Sequence, residues 1–82
     1  MAFTENEIRL REAFSRVLSI PADRICDEIA YEATEAWDSV AHMALVAAID
    51  SEFSIMMDTD DVLDMSSYFK AKEILQKYGV AV

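Results

Sequence analysis

Asp38-Ser39-Val40-Ala41-His42-Met43-Ala44-Leu45-Val46-Ala47-Ala48-Ile49-Asp50-Ser51-Glu52-Phe53 is a helix written out with its cap. Asp38 can accept from the exposed amides of a first turn, and its charge suits the positive end of the helix dipole. No Gly or Pro interrupts the run behind it. The spacing predicts a helix over 39–53 with two apolar stripes. Leu45, Ala48, Ile49 and Phe53 form one. Val40, Met43 and Ala47, at i, i+3 and i+7, form the other. A small bundle buries one stripe of a helix. A second stripe means either that the helix is central or that one face is left for a partner.

Toward the N-terminus, Thr4-Glu5-Asn6-Glu7 reads as a capping box. Ile8, Ala13, Phe14, Val17 and Leu18 follow at helical spacing. The first helix is therefore expected from Glu5 to Ser19, stopping ahead of Pro21. Residues 20–37 make a long connection that still holds Ile25, Ile29, Tyr31 and Trp37, so it is expected to pack across the helix ends. On the other side, residues 58–64 predict a short acidic helix capped by Asp58 or Thr59, with Val62 and Leu63 turned inward. Met65-Ser66-Ser67 is a break supplying an N-cap serine. The last helix is expected over Tyr68–Tyr78, with Ala71, Ile74, Leu75 and either Tyr68 or Phe69 inward and Lys70, Lys72 and Lys77 outward. Gly79 stands at its C′ position. The whole reads as all-α: a four-helix bundle of three main helices and one short one, with a long loop between the first two and residues 1–82 as a single domain.

Composition agrees. One Gly and one Pro in 82 residues argue against a many-turned β domain. Cys26 alone cannot staple the chain, no His/Cys cluster offers zinc, and an inert, partly buried thiol is expected there. No apolar run reaches 18 residues, and residues 1–11 lack the order of a signal peptide. A cytoplasmic monomer without membrane insertion is the expectation. The net charge of −9 makes nucleic acid an implausible partner. From Ile25 to Phe69 there is no Lys or Arg, while that stretch holds eleven Asp and Glu. Such a field attracts basic protein surfaces.

Catalysis finds little to work with. Asp38, Ser39 and His42 supply the residue types of a hydrolytic triad in the wrong arrangement. The acid and the nucleophile are adjacent, and the base lies one turn along the same helix. The acids from Asp58 onward resemble a calcium loop only loosely, since Val62 and Leu63 stand where an oxygen ligand and Gly are needed. His42 is expected to be half-buried packing, and Trp37 to pack the loop onto the bundle. The serine is different. As the first residue of a helix its hydroxyl stands at the mouth, beside free amides that stabilise an anion.

With that serine in place the chain resembles the acyl carrier protein family, the phosphopantetheine-binding carriers. The resemblance runs over nearly the whole chain. It rests on Leu18-Ser19-Ile20 closing the first helix, Ile25 in the long loop, Asp38-Ser39-Val40, Phe53 with Ile55 behind it, and Ser66-Ser67 before the last helix. It implies a non-catalytic carrier. Ser39 would receive 4'-phosphopantetheine from coenzyme A, added by a phosphopantetheinyl transferase that uses Mg2+ only during attachment. Asp38 and Val40 would be read by the transferase. Met43, Ala47, Asp50, Glu52, Asp58, Asp60 and Asp61 would dock acyl-activating, synthase or acyltransferase enzymes through their basic surfaces. Ala41 and Ala44 depart from the acids that fatty-acid carriers place after the serine. Trp37-Asp38-Ser39 with His42 looks more like the stand-alone carriers of specialised pathways. The alternative from another class is an unmodified acidic helical interaction module whose Val40/Met43/Ala47 stripe binds a partner.

Overall fold

The computed structural model describes residues 3–82. Four α-helices follow one another: α1 (Glu5–Leu18), α2 (Ser39–Phe53), α3 (Thr59–Asp64) and α4 (Tyr68–Lys77). Among the described residues there is no strand, only an isolated bridge between Ala30 and Ser67. The protein is a small all-α bundle of three longer helices and one short one.

Each helix starts on a side chain that accepts from its first turn. The Thr4 hydroxyl takes the Glu7 amide at 3.0 Å, Asp38 that of Ala41 at 2.9 Å, Asp58 that of Asp61 and Ser67 that of Lys70, both at 3.0 Å. α1 ends one residue earlier than expected. Ser19 turns left-handed at φ 57, and Ser54 closes α2 the same way at φ 54. Gly79 at φ +85 follows α4 and its Tyr78 cap.

The core collects one side of each long helix. Leu10, Ala13, Phe14 and Leu18 come from α1, Leu45, Val46 and Ile49 from α2, and Tyr68, Ala71, Ile74 and Leu75 from α4. The Phe14 ring stands edge-on to Trp37 at 5.3 Å and to Tyr68 at 5.1 Å, so one phenylalanine joins the loop and the last helix through favourable aromatic geometry. Ile8, expected inward, is 44% exposed. At 3.6 residues per turn it lies well off the Leu10/Phe14 side, and Leu10, two residues on, is buried instead.

The long loop is ordered by its own pairing. After a 3-10 turn at Ala22–Arg24, it meets the α3–α4 break. Tyr31 donates to the Ser66 carbonyl and Tyr68 to the Ile29 carbonyl, each at 2.9 Å. The Trp37 carbonyl accepts from Glu32 at 2.8 Å, and Glu32 itself sits in the left-handed region at φ 62. Ile25, Ile29 and Trp37 are buried, as expected of a loop that packs across helix ends. Cys26, between them, is exposed rather than partly buried.

Candidate functional site

Ser39 is the first residue of α2 and is exposed. Asp38 is extended, at φ −100 and ψ −172, so its carbonyl opens the helix ladder by accepting from His42 at 2.8 Å. Its carboxylate takes the Ala41 amide. The amides of Ser39 and Val40 precede that bond and have no acceptor within the helix. A serine oxygen, two amides and the positive end of a 15-residue helix therefore share one exposed corner. That corner suits a phosphodiester on the serine oxygen. Among the described residues no group of three His, Cys, Asp or Glu side chains is arranged to hold a metal ion.

The two stripes of α2 are real and face different ways. Leu45 and Ile49 are buried, with Ala48 and Phe53 half-buried beside them. Val40 is 78% and Met43 60% exposed, and Ala47 is exposed with them. Leu63, expected inward with Val62, is instead 76% exposed. α3 has only six residues and can turn one apolar side inward. Val62 takes that side, leaving Leu63 outside.

The acids expected to form a docking rim divide into two groups. Asp58 and Asp60 are exposed, and Asp58 also caps α3. Asp50 is half-buried, accepting from the Met57 amide at 3.2 Å. Glu52 is held from within: Arg9 Nε lies 2.6 Å from Glu52 Oε2, and Arg9 Nη2 donates to the Glu52 carbonyl, also at 2.6 Å. Asp61 is the correction. It is 2% exposed, paired with Lys77 and accepting from the Tyr78 hydroxyl at 2.7 Å. The Lys77 and Tyr78 hydrogen bonds hold its carboxyl below the usual carboxylate range. A carboxylate that spends its charge on α4 has none to offer a partner. Its neighbour Asp64 is exposed.

Three features carried no signal in the sequence. One is the Arg9 grip on the end of α2. Another is a charged group of Glu7, Arg11, Asp27 and Lys72 around the Tyr68 hydroxyl, which donates to Glu7 at 3.1 Å. Burial and then the Glu7 charge push the Tyr68 phenol well above its ordinary range. Burial pulls the Lys72 ammonium down, but Asp27 and Glu7 outweigh it and the net shift is upward. The third is a pair of hydrogen bonds on His42, three residues after Ser39. Trp37 Nε1 donates to His42 Nδ1 at 3.0 Å, and His42 Nε2 lies 2.7 Å from the Val62 carbonyl. Most of these pairings, such as Arg9 with Glu52, Lys72 with Glu7 and His42 with Val62, join positions far apart in sequence, which local spacing does not reveal.

Models of known protein families, curated proteins and solved structures were compared with the chain, and none matches it.

Proposed function

We propose that the protein is an acyl carrier protein modified on Ser39. The observation that carries the reading is an exposed serine opening a long capped helix, with an uncovered apolar stripe running from it. The resemblance of the sequence to the carrier family supplies the chemistry. A transferase would join Ser39 Oγ to the pantetheine-bearing phosphorus of coenzyme A. The pyrophosphate bond breaks, the nucleotide bisphosphate leaves, and the serine proton passes to a base on the transferase. The attached arm supplies a thiol that carries an acyl or aminoacyl group as a thioester.

The chain's own residues then do three things. Asp38 fixes the first turn so that Ser39 stays at the mouth. Val40, Met43, Ala47 and Leu63 offer an apolar contact. The exposed Asp58, Asp60 and Asp64 add negative charge, which speeds encounter with basic enzymes and makes it sensitive to salt. Tethering raises the effective concentration of the bound group at each enzyme, so tight docking is unnecessary. Asp61, buried against Lys77 and Tyr78, has no part in this rim, and the half-buried Glu52 is engaged by Arg9.

Incubation with coenzyme A, Mg2+ and a broad-specificity phosphopantetheinyl transferase tests the reading by intact mass. The expected result is a gain of one phosphopantetheine, abolished by Ser39→Ala. No gain in a folded wild-type chain favours the unmodified interaction module.

A further inference from the structure

The hydrogen bonds of His42 connect three parts of the molecule. α3 is only six residues long, too short to hold by its own ladder. Its last carbonyls need donors from elsewhere. Met65 donates to Asp61 at 3.0 Å and Ser66 to Asp64 at 2.7 Å. The Val62 carbonyl is taken by His42 Nε2, from α2. The other ring nitrogen faces the indole N–H of Trp37, which can only donate. Nδ1 must therefore accept and Nε2 must carry the proton. Both bonds demand the same tautomer, so making one favours the other. Ser39 lies between the two partners in the chain, two residues after Trp37 and three before His42.

We propose that His42 is a positioning residue for the modification of Ser39. It ties the loop end at Trp37 and the short α3 to the first turns of α2. Val40 and Met43 on α2 and Leu63 on α3 are exposed apolar side chains. Leu63 directly follows the residue whose carbonyl His42 holds. His42 thereby sets the register between the halves of the surface a transferase reads, without touching the reacting atoms. This inference rests on the carrier reading above.

The test compares His42→Leu with His42→Gln. Leu fills the space and makes neither bond. The Gln amide has an oxygen acceptor and an N–H donor on one planar group, and can keep both. In loading with coenzyme A and transferase, the Leu variant is expected to raise KM for the carrier by about tenfold, the effect of one or two lost hydrogen bonds, with kcat unchanged. The Gln variant is expected to return KM to the wild-type value. Trp37 is the only tryptophan, so its indole N–H signal reads the tie directly. Its protection from exchange should be lost with Leu and kept with Gln. A folded Leu variant that loads with wild-type KM overturns the proposal. Should the Leu variant lose its helical circular dichroism, the Gln variant carries the test, and a raised KM in folded Gln protein overturns it. A wild-type chain that takes no phosphopantetheine overturns the carrier reading itself, which is a distinct result.

Discussion

Asp38 and Asp61 are both aspartates near a helix start, and their surroundings give them opposite work. Asp38 is exposed and caps α2, so Asp38→Ala should cost about 1 kcal/mol in chemical denaturation, the usual worth of such a cap. A loss indistinguishable from zero would mean that α2 is held by packing alone. Asp61 is buried against Lys77 and Tyr78, and its carboxyl is held below the ordinary range. A depressed folded value means that the ionised form stabilises the fold. That contribution is complete above about pH 4, where the unfolded group is ionised, and disappears as pH falls through the lower folded value. Asp61→Asn should therefore melt below wild type at pH 7, and the gap should close as pH falls below about 4. A gap that stays constant down to pH 3 would contradict the pairing. The sequence marked both residues as acids near a helix start. It could not distinguish them, because the partners of Asp61 lie 16 and 17 residues away, on and just after α4.

Among the elements, α2 was the most legible in the sequence, and its physics explains why. A strong cap, an unbroken run and two separable stripes all specify the same helix over Ser39–Phe53. The stripes predict contrasting variants. Leu45→Ala removes a wholly buried side chain and should cost about 2–5 kcal/mol. Met43→Glu acts on an exposed position, so stability should stay within about 0.5 kcal/mol of wild type while loading by the transferase weakens. Loss of helical circular dichroism in Met43→Glu would show that Met43 belongs to the core. α1 and α3 were less legible. In α1 the apolar residues outnumber the buried positions, so Ile8 could be given the phase that belongs to Leu10. In α3 six residues are too few to define a phase, and Leu63 was turned the wrong way. Which side of α3 faces the bundle is set by distant partners, His42 on the Val62 carbonyl and Lys77 and Tyr78 on Asp61, that no local pattern encodes.

For the molecule as a whole, charge is the dominant property that packing leaves unresolved. The net charge is −9, and some of the acids counted in the sequence are neutralised internally by Arg9, Lys72 and Lys77. The remaining acids repel one another diffusely. Millimolar Mg2+ and Ca2+ should therefore raise the melting temperature by similar amounts, and NaCl by less per charge. A response to Ca2+ alone would reveal a selective site, which the scattered acids do not suggest. The helix order, the packed loop and the exposed serine were readable from the sequence because each is local or set by overall composition. The ion pairs of Arg9, Lys72 and Lys77 and the His42 tie to Val62 were not, since they depend on how distant segments meet. The carrier reading turns on a single atom, the Ser39 hydroxyl oxygen. Peptide mapping of the transferase-treated chain, after cleavage at acidic residues, tests it most directly: phosphopantetheine is expected on Ser39 and nowhere else. An unmodified Ser39 peptide, or the group on Ser51 or Ser54 instead, would contradict it.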